Sequence, residues 1–405
     1  MSLKSLFDNY ERDAVIVAAA RTAVGKAKKG SLAETRAEDM GKAVILGLLS
    51  RVPDLSAGEI EDVILGCAMP EGEQGLNVAR IISLYAGLPH TTPAVTVNRF
   101  CASGLQSIAY AAERIRIGEA ECILAGGVES MSHVPMTGFH LSPHPDIAES
   151  MPEVYMGMGH TAEEVARRYG VTRQHQDEFA ASSHQKAASA IAANSFREET
   201  VPVTVSRSGS DEVGRPWKRV FTFDTDEGVR PETTVQRLAP LKPSFARDGT
   251  VTAGNSSQMS DGAAGVIIMS RSAAKRHGLR PLAAFRSFSL AGVAPEMMGI
   301  GPIEAVPKAL HRAGITKEQV DLFELNEAFA AQCVPIIREL GLNAERVNVN
   351  GGAIALGHPL GCTGSKLSVS LIHELGRRGG GVGVVTMCIG GGMGAAGVFE
   401  VYASY

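Results

Sequence analysis

The fold follows from one stretch, Val95-Thr96-Val97-Asn98-Arg99-Phe100-Cys101-Ala102-Ser103-Gly104. Its β-branched run at 95–97 reads as a strand. Residues 104–117 read as a helix, because Leu105, Ile108, Ala109, Ala112 and Ile115 follow the i, i+3, i+4, i+7 spacing of one helical face. Gly118 supplies the stop. A strand leading directly into a helix is the building unit of an α/β protein, and the runs 14–18, 63–65 and 122–125 read as further strands of the same layer.

The unit recurs near the other end of the chain. Val347-Asn348-Val349-Asn350 before Gly351 echoes 95–98, residues 384–391 echo Cys122-Ile123-Leu124-Ala125-Gly126-Gly127, and residues 322–327 echo Val63-Ile64-Leu65-Gly66-Cys67. A duplicated α/β unit is expected, with equivalent strand-to-helix junctions of both halves meeting at one centre. After Ser130 the texture changes. Met and His clusters, Pro143 and Pro145 precede polar helical patterns at 161–169 and 173–194, then a charged irregular stretch runs to about Pro243. The α/β pattern returns at Gly262. This divides the chain into an N-terminal half (1–130 plus 244–280), an inserted loop domain (131–243) and a C-terminal half (281–405).

The 405 residues suffice for two or three domains with a large core. At 44% hydrophobic, 20% charged and a net charge of -4, nothing global points to nucleic acid or to an anionic membrane. The uncharged tract 381–398 is rich in glycine, which argues against a membrane span. Residues 1–12 resemble neither a signal peptide nor a transit sequence, and the six cysteines are dispersed without CxxC pairs. The expectation is a cytoplasmic protein without a disulfide framework.

Chemistry concentrates in a few places. Cys101 stands at a helix N-terminus, which favours a thiolate. That effect is worth about 0.3–1 kcal/mol, under about one pKa unit, so a thiol starting from about 8.5 stays mostly protonated at pH 7. A base is needed. His358 is the best of the 11 histidines for this, in the glycine-flanked Gly357-His358-Pro359-Leu360-Gly361. Cys388 ends an apolar strand-like run and precedes Ile389-Gly390-Gly391-Gly392-Met393-Gly394, whose backbone N–H groups suit an anion; a buried strand cysteine before a tight turn is the bland reading. Asn326-Glu327-Ala328-Phe329 reads either as a functional segment or as a helix start with Asn326 as N-cap.

Other patterns carry less. Gly392-Met393-Gly394-Ala395-Ala396-Gly397 matches GxGxxG, but too little chain follows it for a dinucleotide-binding unit. Gly361-Cys362-Thr363-Gly364-Ser365-Lys366 lacks the ending and spacing of a phosphate loop. His358 and Cys362 at i, i+4 lack a second metal-ligating pair. No metal or further cofactor is expected.

Together these residues resemble the thiolase family along essentially the whole chain. The blocks that carry the likeness are Asn98-Arg99-Phe100-Cys101-Ala102-Ser103-Gly104-Leu105-Gln106, Gly126-Gly127-Val128-Glu129-Ser130-Met131-Ser132, Gly249-Thr250-Val251-Thr252-Ala253-Gly254-Asn255-Ser256-Ser257, Asn326 to Phe329, the His358 segment and the Cys388 segment. The resemblance implies a five-layered α-β-α-β-α fold of two similar halves with the loop domain inserted. It implies a homodimer or homotetramer acting on CoA and acyl-CoA, with another β-oxidation enzyme as partner.

It also assigns roles. Cys101 becomes the nucleophile that carries the acyl group, His358 its base and part of an oxyanion hole, and Cys388 the general acid/base. Asn326 holds an oxyanion-binding water, and the N–H groups of Gly390 and Cys101 form a second oxyanion hole. Ser257 is expected at the pantetheine, with Met158, Phe245, Met298 and Phe329 as apolar wall. Arg230, Arg215, Lys218 and Arg219 are expected at the nucleotide phosphates, although such a cluster also reads as a solvated face.

Gly157 stands where biosynthetic acetoacetyl-CoA members carry a histidine ahead of Met158-Gly159-His160-Thr161-Ala162-Glu163. That feature, His133-Val134-Pro135-Met136, Arg230-Pro231-Glu232-Thr233-Thr234 and the His358 segment resemble the β-oxidation branch, a 3-ketoacyl-CoA thiolase. The Cys388 segment is shared with the biosynthetic acetoacetyl-CoA enzymes, which stand as the alternative. A CoA-binding or scaffold protein without catalysis is the alternative of another class, and the presence of Cys101, His358, Cys388 and Asn326 argues against it.

Overall fold

The computed structural model describes residues 12–211 and 213–403. The leader reading for the first residues falls, up to Glu11, outside them. The N-terminal half contributes β1 (Ala14–Thr22), β2 (Gly25–Lys26), α1 (Ala37–Ser50), β3 (Asp62–Gly66), α2 (Val78–Tyr85), β4 (Ala94–Val97), α3 (Ser103–Ile117) and β5 (Cys122–Ser130). The insertion carries α4 (Pro145–Ser150), α5 (Met158–Tyr169), α6 (Arg173–Ala192), β6 (Thr200–Val201), β7 (Val203–Ser210), β8 (Pro216–Phe223) and α7 (Val235–Leu238). Then follow β9 (Ser260–Ser270), α8 (Arg271–Arg276), β10 (Ala283–Gly292), α9 (Gly301–Ala313), β11 (Leu322–Leu325), α10 (Ala330–Glu339), α11 (Ala353–Leu356), α12 (Leu360–Arg377), β12 (Gly380–Ile389) and β13 (Met393–Tyr402).

The two halves repeat one strand arrangement. In the first, β4, β3 and β5 run parallel, and β9 and β1 complete the sheet antiparallel. In the second, a parallel bridge from Phe323 to Val347 stands in for the β4 pairing, β11 and β12 run parallel, and β13 and β10 complete the sheet antiparallel. The β1 and β10 edges meet over only Val15↔Ala284 and Ile16↔Ala283, joining both sheets. Each of the three sequence echoes therefore falls on equivalent elements.

Helices α3 and α12 pack on each other and on strands of both sheets, so they form the middle layer of an α-β-α-β-α stack. Helices α1 and α2 cover the outer face of the first sheet, and α9 and α10 that of the second. Glycine makes the central crossing possible. A Cβ on Gly104 would lie 2.7 Å from the Ser365 nitrogen, and one on Gly364 would lie 2.3 Å from the Leu105 nitrogen.

The insertion does not sit on one side only. Helices α5 and α6 pack against α10 and α11, above the C-terminal half. The β7–β8 hairpin buries Val203, Val205 and Phe223 with Val44, Ile45 and Leu48 of α1, above the N-terminal half. The charged stretch read as irregular is thus partly a hairpin; its alternating inward residues are too few and too diluted by charge to show the period. Fully buried Arg21 of β1 ties the insertion down, with Nε 2.6 Å from Glu199 and a bidentate pair at 2.8 Å to Asp226. Helix boundaries also shift. α5 begins at Met158, three residues before the expected 161, and α6 ends at Ala192, before Asn194 takes a positive φ of 55°.

Candidate active site

The C-terminal ends of the parallel strands in both halves converge, where open α/β sheets place their sites. Beyond β4 the chain enters a 3₁₀ turn, Phe100–Ala102, that leads into α3. Asn98 pins the turn by accepting from the Phe100 N–H at 2.8 Å and donating to the Ala68 carbonyl at 3.0 Å. Phe100 is held at φ 43°, a left-handed conformation that costs an aromatic residue about 1–3 kcal/mol. Cys101 lies beneath it, 1% exposed, among Ala68, Met131 and Leu360. The N–H of Gly390 and its own N–H both point at the Cys101 sulfur.

His358 enters from the loop before α12 and is buried. Its backbone N–H donates to the Gln258 carbonyl at 3.2 Å and to Ser260 Oγ at 3.1 Å. Its Nδ1 lies 2.5 Å from Thr363 Oγ1, and its Nε2 lies 3.3 Å from Asn326 Nδ2. Asn326 is not a helix cap, since α10 begins at Ala330 with Phe329 as N-cap. Among the described residues its buried Oδ1 has no hydrogen-bond partner, which leaves it to accept from a molecule entering the site.

Cys388 completes the group from the end of β12, just before the turn in which Gly391 and Gly392 adopt φ of 81° and 83°. It is fully buried, and its thiol donates to Gln332 Oε1 at 2.9 Å. Cys101 and Cys388 are close enough that a charge on the first disfavours a charge on the second.

Buried carboxylates brace these loops. Glu129 accepts from the N–H groups of Ala68 and Gly361, each at 2.8 Å, and from Gln74 Nε2 at 2.8 Å, so it clips the His358 loop to the first half. Glu327 accepts from Ser183 at 2.6 Å, from Asn348 at 2.8 Å and from the Ile354 N–H at 3.2 Å. Sequence reasoning missed the roles of Gln332, Thr363 and Glu129. Their partners are distant in sequence or, for Thr363, hidden inside a segment judged only as a phosphate loop.

Burial dominates the electrostatics. It pushes the Cys101 thiol up to about 12, with the two N–H groups working against the rise. It pushes the Cys388 thiol above its ordinary range, with the nearby Cys101 adding to the rise. It pushes His358 down to about 3, assisted by the charge of Lys366. The resting pair is therefore a neutral thiol and a neutral imidazole.

His358 opens into a cavity of about 600 Å³ with Met131, Met136, Met158, Phe245 and Met259 on its walls. Ser257, Met158, Phe245 and Phe329 all line it, and the Phe245 and Phe329 rings meet edge to face at 6.0 Å. Met298 does not line it; at 1% exposure it packs behind, with Met158, Phe329 and Cys388. Arg230 does not line it either, because its backbone N–H and guanidinium are engaged by His184, each at 3.2 Å. Arg215, Lys218 and Arg219 lie exposed on or beside the hairpin, whose buried side packs on α1, and none lines the cavity. That cluster is a solvated face in this structure.

Comparison with known proteins agrees with this geometry. Residues 14–272 match the thiolase N-terminal domain and residues 279–401 the thiolase C-terminal domain. A 3-ketoacyl-CoA thiolase of Bacillus subtilis is 60% identical over 96% of this chain and 100% of its own. An acetyl-CoA acetyltransferase of Pseudomonas aeruginosa is 48% identical over 95% of this chain and 98% of its own. The dimeric peroxisomal thiolase of Saccharomyces cerevisiae superposes with a TM-score of 0.88 at 38% identity, over 98% of this chain and 99% of that one. A repeated five-layer fold and family matches to both halves lead to one conclusion: the chain belongs to the thiolase family.

Proposed function

We propose that the protein is a 3-ketoacyl-CoA thiolase, cleaving its substrate with CoA to acetyl-CoA and a shortened acyl-CoA. The observation that carries this reading is that His358, in contact with Asn326, opens into a largely apolar cavity, in a protein whose buried thiols Cys101 and Cys388 feel each other's charge. His358 Nε2 takes the Cys101 proton, and the thiolate attacks the 3-keto carbon. The bond between C2 and C3 breaks, leaving the acyl group on Cys101 and an acetyl-CoA enolate. Cys388 protonates that enolate at C2. The Cys388 thiolate then takes the proton of incoming CoA-SH, which attacks the acyl-cysteine, and the departing Cys101 sulfur recovers its proton from His358.

Burial opposes each of these charges, so each must form together with its counter-group rather than ahead of it. The N–H groups of Gly390 and Cys101, now aimed at the sulfur, serve the tetrahedral oxyanion. His358 and a water on Asn326 Oδ1 serve the enolate oxygen. Losing one such donor typically costs about 2.7–4 kcal/mol.

CoA is read as substrate, with no further cofactor, and Ser257, Met158, Phe245 and Phe329 as its contacts. A homodimer or homotetramer is proposed, with a β-oxidation enzyme as a further partner. Among the described residues no helix is long and apolar enough to cross a membrane, and a cytoplasmic location is proposed. The division at 130, 243 and 280 is proposed on the return of β9 to the first sheet and of β10 to the second.

The biosynthetic reading, condensation of acetyl-CoA to acetoacetyl-CoA, keeps one specific support in the Pseudomonas aeruginosa relative. Both readings are tested by supplying CoA with 3-ketohexadecanoyl-CoA or acetoacetyl-CoA and following loss of the Mg²⁺-enolate absorbance. Faster turnover of the long substrate is expected. Turnover of acetoacetyl-CoA alone selects the biosynthetic reading, and turnover of neither leaves a binding protein.

A further inference from the structure

We propose that Thr363 is a positioning residue that fixes His358 as the Nδ1–H tautomer, so that the Nε2 lone pair faces the reaction centre. The proposal rests on the reading of His358 as the base for Cys101 and extends it to a residue outside the reacting atoms.

The geometry supplies two independent constraints. Thr363 Oγ1 lies 2.5 Å from His358 Nδ1 and 2.8 Å from the Pro359 carbonyl oxygen. A hydroxyl has one hydrogen, and a carbonyl oxygen only accepts. With the hydroxyl hydrogen on Pro359, Oγ1 meets Nδ1 as an acceptor, so Nδ1 carries the ring proton. At the other end of the ring, Asn326 Nδ2 lies 3.3 Å from Nε2, and an amide NH₂ only donates. Nε2 is therefore the unprotonated nitrogen. Asn326 Oδ1, which has no partner among the described residues, agrees, because it is the acceptor turned away from the ring.

The placement also limits ring rotation. Thr363 stands in the first turn of α12, five residues after His358, and both side chains are buried. The His358 backbone is held separately by Gln258 and Ser260. The hydroxyl thus acts on the ring and its protons, while other groups hold the loop. When Nε2 receives the Cys101 proton, the Nδ1–H donor stays on Oγ1 and shares the new positive charge. Where a carboxylate fills this place in serine proteases, replacing it with an amide gives the wrong tautomer and costs about 10⁴-fold. A neutral hydroxyl is a weaker partner, and a loss of about 10- to 100-fold is expected.

The test compares wild type, Thr363→Val and Thr363→Ser. Thr363→Val is expected to lower kcat of thiolysis and the rate of Cys101 alkylation by iodoacetamide together, with KM for acyl-CoA unchanged; Thr363→Ser restores both. In wild type, ¹⁵N shifts of labelled His358, assigned by loss of its signal in His358→Asn, are expected to show a protonated Nδ1 and a lone pair on Nε2. The opposite tautomer overturns the proposal, and so does an unimpaired Thr363→Val or a Thr363→Ser as slow as it. Should Thr363→Val not fold, the wild-type tautomer and Thr363→Ser decide. A wild type whose Cys101 alkylation is indifferent to His358→Asn instead overturns the base reading itself.

Discussion

Cys101 and His358 show how far a site can depart from the sum of its residue preferences. A helix N-terminus and two N–H groups favour a thiolate, yet complete burial outweighs them and leaves the thiol up at about 12. His358, pushed down to about 3 by the same burial and by Lys366, is a neutral imidazole at neutral pH. Charge separation is therefore deferred until substrate arrives with an oxygen on which the N–H groups can act. The difference in absorbance at 240 nm between wild type and Cys101→Ser is expected to show no thiolate between pH 6 and 9. A thiolate step centred below pH 8 contradicts this electrostatic picture. The two sulfurs and the imidazole could be proposed from the sequence because thiols and imidazoles are reactive side chains that stand out in glycine-rich segments. Gln332, Thr363 and Glu129 could not, since a hydrogen-bond acceptor shows its purpose only beside its donor. The cations at 215–230 stayed ambiguous for another reason, because a charge run has the same sequence whether it meets phosphate or water.

The elements explain why these groups meet. α3 begins directly after the Cys101 turn and α12 directly after the His358 loop, and the two helices cross in the central layer. Gly104 and Gly364 let their backbones approach more closely than any Cβ permits. The spacing between Cys101 and His358, the proposed nucleophile and base, is thus set by a helix crossing. Gly364→Ala places a methyl 2.3 Å from the Leu105 backbone nitrogen and is expected to cost about 1–3 kcal/mol of stability. Because the strain falls on this crossing, kcat should drop with it in the surviving folded fraction. Urea unfolding and steady-state kinetics on one preparation check both; normal stability or full kcat counts against the crossing as the spacer. Helix α3 itself was legible from its apolar spacing and Gly118, which ends it at φ 80°. The hairpin was not, because the alternation of β7 is apolar only at Val203 and Val205 and most of β8 is exposed.

At the scale of the whole molecule, duplication does the positioning. Each half presents strand ends to the same centre, the first supplying Cys101 and the second Asn326, His358 and Cys388. Neither half holds the set alone. The echo of residues 95–98 in 347–350 was legible because equivalent strands need equivalent residues. What covers the site was less so, since α5, the insertion's Met158 and the Phe245–Phe329 pair are brought together by tertiary packing. The central claim is that one of two neighbouring thiols carries the acyl group while the other moves the proton. Its most direct test is to mix the protein with 3-ketohexadecanoyl-CoA without CoA, quench in acid, and map the adduct by mass spectrometry. A tetradecanoyl group on the peptide holding Cys101, absent from Cys101→Ser and present in Cys388→Ser only at reduced rate, is the predicted result. The same group on Cys388 or Cys67, or full turnover with no acyl-cysteine, would contradict the account.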